Sequence, residues 1–411
     1  MAQVIVTRKT FVPVLPTLWP RMLLAARGAG SAYDYFPFSA PDASYFYFAR
    51  IAIWVAAGLL GLAGGEVLVP AYHHGVEIEA LIEAGALLNF YRVGRKWEVD
   101  PKDVERHISP RTKAIYLTHY AGFPGPVEEL REIADRHGLP LIEDCALSLL
   151  SKQSEKPLGS TGDFSVFCLY KTLPVPNGGV LVVNGKDGRR NGYHVPQAPA
   201  PPLTSTVSHM ASSLLQNLEM RGGGVGQVLR SGVRRLGRGA VQAAKIDRVT
   251  TGSDHFNMEE VDLGMSALSK RILMSQEMDR IVKVRRRNYR LLLNELREVS
   301  PPLFDDLPTG ICPLFYPLVV EDKEKVMQAL ERYGIETVDF WRYFHPSCDP
   351  DEFPDTAWLR NSILEIPCHQ DMTVETVRYV AGAVRDVVRG DGGRTTDDTK
   401  QKAEGRRQMI E

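Results

Sequence analysis

Apolar and polar positions along this chain change period several times, and the changes mark out its elements. After an irregular, Pro-rich start, SYFYFARIAIWVAAGLLGL reads as a loop entering a buried helix, and GGEVLVPAY as a turn and a short apolar strand. VEIEALIEAGALL has the spacing of an amphipathic helix, with Ile78, Leu81 and Ile82 on one side, and LNFYRV reads as a strand. VDPKDVERHI is a capped helix start with Pro101 in its first turn. TKAIYLTHY is a strand, VEELREIADRHGL a helix closed by Gly138, and LPLIEDCA a further strand. Strands alternating with helices of this length predict an α/β fold with a mostly parallel sheet sandwiched by helices, its ligand at the carboxyl ends of the strands.

The rhythm breaks at about 185–256, where a Pro-rich run leads into a Gly/Arg-rich stretch with Arg221, Arg230, Arg234, Arg235 and Arg238. This reads as an insertion, either a solvated helix face or a basic surface for an anionic substrate or membrane. A long helical pattern follows from Leu263 to Glu298. LFYPLVV, DKEKVMQALERYGI, ILEIPCH and TVETVRYVAGAVRDVV then alternate strand, helix, strand, helix. The predicted organisation is an N-terminal arm at 1–43, a large α/β domain at 44–298, a smaller C-terminal α+β domain at 299–390, and a polar, disordered tail at 391–411.

Composition narrows the class. With 411 residues and a net charge of −1, the chain has no global field for nucleic acid. Cys145, Cys168, Cys312, Cys348 and Cys368 are scattered without a CxxC pair, so neither a disulfide framework nor a zinc site is indicated. The N-terminus lacks a signal-peptide core, and the apolar run from Ile51 to Leu62 is too short to span a bilayer. A cytoplasmic protein with no integral membrane segment and no metal is expected.

The candidate chemistry lies in two segments. PLIEDCA ends an apolar strand in Glu143-Asp144, and FCLYKTLPVPNGGVLVVN places Lys171 in a tight loop between two apolar segments. A strand-end acid followed by a loop lysine is the pair a pyridoxal phosphate site uses: the lysine holds the cofactor, and the acid partners its ring nitrogen. Either residue alone reads more readily as a solvated surface charge; their order, spacing and flanking strands favour the pair.

Four stretches carry a resemblance. GGEVLVPAYHHGVEIEALIEAGA, ISPRTKAIYLTHYAGFPGPVEELREIADRHGLPLIEDCA, FCLYKTLPVPNGG and ILEIPCHQDMT occur in the order found in the DegT-type sugar aminotransferases, and the chain resembles that family over roughly 44–390. The resemblance implies a fold type I pyridoxal phosphate-dependent transferase, a homodimer with shared active sites. It implies an aminotransferase moving an amino group from an amino acid, by family habit L-glutamate, to a keto sugar, nucleotide-linked, for polysaccharide or secondary-metabolite biosynthesis. It makes Lys171 the catalytic, cofactor-bearing lysine and Asp144 the ring-nitrogen partner. The turn Ala49-Arg50 corresponds to the phosphate turn, and His74 to an aromatic residue that stacks on the ring. Cys168 is nearest to a phosphate-binding serine, and Ser148 adjoins Leu147, where the family has a polar residue. Asn177 replaces an acid. His119, Tyr45, Trp341 and His345 are candidate substrate contacts. A non-nucleotide keto acceptor and a catalytically silent, cofactor-binding scaffold are the alternatives.

Overall fold

The computed structural model describes residues 10–24, 32–185, 192–222 and 256–390. The tail expected at 391–411 and most of the basic insertion, including Arg230, Arg234, Arg235 and Arg238, lie outside the described residues.

A short helix, α1 (Pro20–Leu24), belongs to the N-terminal arm, and β1 (Ala43–Phe46) leads into α2 (Ala49–Leu59). The sequence reading had a loop where β1 forms. This edge strand pairs antiparallel with the glycine strand after the lysine loop, so tertiary pairing decides its conformation. Strand β2 (Glu66–Pro70), α3 (Val76–Glu83), β3 (Leu87–Tyr91), α4 (Pro101–Arg106), β4 (Thr112–Thr118), α5 (Val127–His137) and β5 (Leu141–Asp144) follow in strict alternation. Their ends obey local chemistry. Asp100 caps α4 through the Lys102 amide, and Gly138 closes α5 in a left-handed conformation, φ 66°. After a short hairpin, β6 (Lys152–Gln153) and β7 (Lys156–Pro157), come β8 (Phe164–Cys168) and β9 (Gly179–Val183).

The large sheet has seven strands in the order β1-β9-β8-β5-β4-β2-β3. From β3 to β8 every pair is parallel, while β9 and β1 add antiparallel pairs at one edge. Alternation sorts its side chains. Val67, Val69, Ala114, Tyr116, Ile142, Val166 and Cys168 pack with α2 and α3 in one buried cluster. Leu68, Ile115, Leu117 and Leu141 join a second cluster on the opposite face. Burial of Ile51, Ile53 and Val55 holds α2 on the sheet, each contributing roughly 1.5–3 kcal/mol.

Within the expected insertion, α6 (Leu203–Gly222) is a 20-residue helix; the sequence reading allowed a surface helix here without giving it bounds. The single helix expected over 263–298 is two: α7 (Ala267–Met274), capped by the Ser266 hydroxyl, and α8 (Met278–Leu296). Ser275, Gln276 and Glu277 separate them, and Gln276 turns back to the Ile272 carbonyl at 3.0 Å. A three-stranded antiparallel sheet ends the chain. Strand β10 (Phe315–Val319), α9 (Lys323–Arg332), β11 (Val338–Asp339), α10 (Pro354–Ser362), β12 (Ile363–Pro367) and α11 (Val374–Val388) build it, in the order β10-β12-β11. The arm is stitched onto this unit. Val12 pairs with Ile335, the Pro13 carbonyl meets the His369 ring at 2.9 Å, and Asp371 accepts from the Thr17 amide and the Trp19 indole.

Arg285 on α8 joins the two sheets. Its fully buried guanidinium donates to the carbonyls of Leu314 (2.8 Å) and Thr172 (3.2 Å) and to Gln370 Oε1 (2.8 Å). Gln370 in turn donates to the Thr172 carbonyl at 2.9 Å. Replacing Arg285 by Met leaves these acceptors buried without the guanidinium donors. The Arg285→Met variant is expected to lose about 3 kcal/mol or more of stability. A denaturant midpoint matching the wild type would refute this role.

Candidate active site

Glu143 and Asp144 are neighbours on a fully buried strand, so they point to opposite faces. Glu143 turns away from α2. It accepts from the amides of Gly159 (2.8 Å) and Thr161 (2.8 Å) and meets His119 Nε2 at 2.9 Å, while His119 Nδ1 accepts from the Gly125 amide. His119, expected as a substrate contact, has both ring nitrogens engaged within the protein and is not among the residues that line either site cavity. The potential ligand atoms of His119, Glu143 and Cys145 lie within 4.8 Å of one another. The amides and the histidine on Glu143 account for that closeness as a hydrogen-bond hub.

Asp144 faces α2. Tyr116 donates its hydroxyl to Oδ2 at 2.9 Å, and the Ala146 amide donates to Oδ1 at 2.9 Å. Burial raises the Asp144 pKa, while the Ala146 amide, the Tyr116 hydroxyl and the Lys171 charge oppose the rise. Lys171 lies in the turn after β8. That turn is held from within by the Thr172 and Leu173 amides on the Leu169 carbonyl, and from the other sheet by Arg285 and Gln370.

Two cavities meet here. The inner one, about 80 Å³, is lined by Ala49, Arg50, His74, Glu77, Asp144 and Cys168, among others. The outer one, about 480 Å³, is lined by Val14, Leu147, Leu314, Arg342, Tyr343 and Glu365, among others. His74, Tyr170, Lys171 and Trp341 line both.

The donor set fits a planar cofactor with a ring nitrogen and a phosphate. The buried acid serves the nitrogen, Lys171 the carbonyl end, and the α2 N-terminus the phosphate. No side chain caps that helix start, whose N-cap is Phe48. Strand β9 presses so closely on it that a Cβ at Gly179 would lie 2.3 Å from the Phe48 carbonyl carbon, so only glycine fits. The Arg50 side chain is committed elsewhere, to Glu260 at 2.7 Å and over the Phe48 ring. His74 is neutral: burial and the Lys171 charge lower its pKa to about 3. His73 stacks on Phe90 and bonds the Pro70 carbonyl, away from the cavities.

Of the other expected contacts, Trp341 reaches the site and three do not. Tyr45 is on edge strand β1, with Lys270 Nζ 5.6 Å from its ring centre. Ser148 is buried without lining either cavity. His345 is half-buried and bonded to Ser347 in its own loop. Asn177 is a clasp: its side-chain oxygen accepts from the Ser266 amide (2.9 Å) and the Ser269 hydroxyl (3.1 Å), tying the lysine loop to α7.

Three site residues escaped the sequence reading. Arg360 donates to the Trp341 carbonyl at 2.6 Å, to the Tyr343 carbonyl and to the Ala71 carbonyl at 3.2 Å, fixing the Trp341 loop over the cavity. Glu365 lines the outer cavity. Glu77 spans the amides of His74 (2.7 Å) and Gly75 (3.2 Å) and so fixes the His74 backbone. The acids in the first turn of α3, Glu77 and Glu79, were the available signal, but they read as helix-start charges.

Burial and the nearby Asp144 raise the Glu77 pKa to about 7. The folded state thus binds this proton more tightly than the unfolded chain does. The resulting stability is present below the ordinary value of 4.5 and is lost as pH rises through about 7. Glu77→Gln lacks this titration. Its unfolding midpoint, measured beside the wild type from acid to neutral pH, should gain on the wild type across that window. Parallel curves would contradict the assignment.

The model of the DegT/DnrJ/EryC1/StrS aminotransferase family matches residues 51–191 and 253–385, more than half of the chain. The GDP-perosamine synthase of Vibrio cholerae is 35% identical over 138 residues, which are 33% of this chain and 38% of that protein. The L-glutamine:2-deoxy-scyllo-inosose aminotransferase of Streptoalloteichus tenebrarius is 32% identical over 135 residues, 32% of each protein. The chain thus spans about a third of the length of these curated relatives. The sugar aminotransferase Spr1654 of Streptococcus pneumoniae in its PLP form, described as putative, superposes with a TM-score of 0.67 at 16% identity, covering 92% of this chain and 99% of that one. The fold is that of the fold type I transferases.

Proposed function

The chain belongs to the DegT/DnrJ/EryC1/StrS aminotransferase family, and from that premise we propose that it is a pyridoxal phosphate-dependent aminotransferase acting on a keto sugar or a related polyhydroxylated ketone. The observation that carries this reading is the convergence of Lys171, Asp144 and the open α2 N-terminus on one cavity. L-glutamate is the proposed donor. A homodimer in the cytoplasm belongs to the same reading; among the described residues no helix is long and apolar enough to cross a membrane.

When bound, pyridoxal phosphate supplies an electron sink for the negative charge that develops beside the substrate nitrogen. Lys171 would hold it through Nζ, Asp144 at its ring nitrogen, His74 by stacking, and the Ala49 end of α2 at its phosphate. Asp144, held by the Tyr116 hydroxyl and the Ala146 amide, would face the ring nitrogen as a carboxylate and so favour a proton on that nitrogen. Lys171 Nζ would take the proton from the donor α-carbon as a base and give it back as an acid, with no net gain or loss of protons. Trp341 and Leu147 line the cavity beside it. Leu147 offers no hydrogen bond where the family has a polar residue, so the Tyr116–Asp144 contact carries more of the polar anchoring.

With pyridoxal phosphate, the wild type is expected to show a visible absorbance band that L-glutamate shifts. Lys171→Ala should lack the lysine-dependent band and slow the glutamate-driven change by about 10²–10⁴-fold or more. A band that no amino donor alters would favour the silent scaffold instead.

A further inference from the structure

Three consecutive residues between β12 and α11, His369, Gln370 and Asp371, hold two separate parts of the site at once. The His369 ring donates from Nε2 to the Pro13 carbonyl (2.9 Å), and its Nδ1 accepts from the Asp371 amide (3.3 Å). One neutral tautomer meets both demands, and burial lowers the His369 pKa and keeps the ring neutral. Asp371 accepts from the Thr17 amide (2.7 Å), the Thr17 hydroxyl (3.0 Å) and the Trp19 indole (3.0 Å). Gln370, between them, serves the lysine loop. It donates to the Thr172 carbonyl (2.9 Å), next to Lys171, and accepts from Arg285 (2.8 Å). Asn288 on α8 fixes the turn itself by donating to the Cys368 and His369 carbonyls.

The N-terminal arm is a strap anchored on both sides of the residues that face the site. Upstream, the Val12 amide donates to the Gly334 carbonyl and the Val12 carbonyl accepts from the Glu336 amide, each at 2.9 Å. Gly334 takes φ 74°, and a Cβ there would collide with the Thr10 carbonyl oxygen, so this close approach requires glycine. Downstream, Thr17 and Leu18 are fully buried, with the Thr17 hydroxyl and the Leu18 amide also held by Asn217 and Ser213 of α6. Between the anchors, Val14 and Leu15 line the outer cavity with Lys171. All of these bonds lie within one chain and do not depend on a second subunit.

We propose that the strapped arm is a wall of the substrate site: Val14 and Leu15 limit what fits beside Lys171, and the 369–371 turn ties that wall to the lysine loop. The proposal rests on the aminotransferase reading for the chemistry at Lys171, and it adds two specificity residues and a positioning residue, Asp371. Two aliphatic side chains offer no charge or hydrogen bond, so this wall discriminates by bulk. Asp371 is not among the residues that line either cavity. It acts by holding Thr17 and Trp19, and a shift of the arm reaches Thr172 through the adjacent Gln370.

Hydrogen exchange on the full chain, read by mass spectrometry, tests the tie. Asp371→Ala should speed exchange about tenfold or more both in 12–19 and in 169–175. Trp19→Phe, which loses a single bond to Asp371, should show a smaller effect in the same two segments and carries the test if Asp371→Ala does not fold. Faster exchange in the arm alone, or in neither segment, would overturn the tie. The wall is tested on the pyridoxal phosphate-loaded protein with hydroxylamine and O-benzylhydroxylamine. Each takes the cofactor from Lys171 and leaves the lysine amine free, and loss of the visible band gives the rate. Relative to hydroxylamine, the benzyl probe should react about tenfold more slowly with Val14→Phe and faster with Val14→Ala and Asp371→Ala. Because both probes meet the same molecules, their ratio is not moved by a partly misfolded sample. A ratio equal to that of the wild type in every variant would overturn the wall. Whether L-glutamate shifts the band is a separate readout: its absence sinks the aminotransferase reading and leaves both comparisons standing.

Discussion

The site depends on one constraint, that β5 is buried on both faces and ends in two adjacent acids. Neither carboxylate can reach bulk water, so each must be satisfied where the strand's alternation points it. Glu143 is satisfied by the 159–162 turn and His119. Asp144 is left on the α2 face with one tyrosine hydroxyl, one amide and a lysine close enough to oppose its pKa rise. The first acid shapes the loop that covers the strand end, and the second is left for chemistry. Exchanging their faces by a one-residue slip would destroy both arrangements at once.

The lysine loop is held from outside as much as by its own turn. Arg285 and Gln370 both donate to the Thr172 carbonyl, Arg285 from α8 and Gln370 from the turn between β12 and α11. Asn177 secures the far end of the loop to α7. Arg360 does the same for the opposite wall, linking the end of β2 to the Trp341 loop. Buried guanidiniums on backbone carbonyls thus set the spacing between Lys171 on one sheet and Trp341 and Glu365 on the other. A planar five-donor fork suits that task, because it reaches acceptors farther apart than the three donors on one lysine nitrogen can.

Much of this was legible in the sequence, and the reasons for the rest are local. The strand-helix alternation from Glu66 to Asp144 was plain because both periods are strong and the punctuation, Pro101 and Gly138, is standard. Lys171, Asp144, His74, Ala49, Arg50, Cys168 and Trp341 were named, and the structure gathers all of them around the two cavities. The misses share a cause. Edge strand β1, the bounds of helix α6 and the break after Met274 are decided by partners distant in the chain, which periodicity does not record. His119 was named for falling at a strand end, which does not say which face its side chain takes. Glu77, Arg360 and Glu365 were missed because a charged residue in a helix or strand reads as surface until tertiary packing buries it. Asn177 read as a lost acid; its side-chain oxygen makes the clasp to Ser266 and Ser269, and its amide nitrogen donates to Thr206 Oγ1 at 3.5 Å, a bond that a carboxylate could not donate.

Charge around Lys171 gives the last step. Asp144, Glu77 and Glu365 surround a single lysine, with His74 held neutral beside it. Three full negative charges in so small a volume would be prohibitive, and burial relieves the conflict by moving Glu77 and Glu365 to about 7. Near neutral pH the pocket therefore retains protons that carboxyls in their ordinary range would have released. A dianionic phosphate is best placed at the α2 N-terminus, whose amides are neutral donors and do not disturb this balance. The two ends of the site thus differ in what they offer: backbone amides at the α2 N-terminus, and titratable side chains around Lys171.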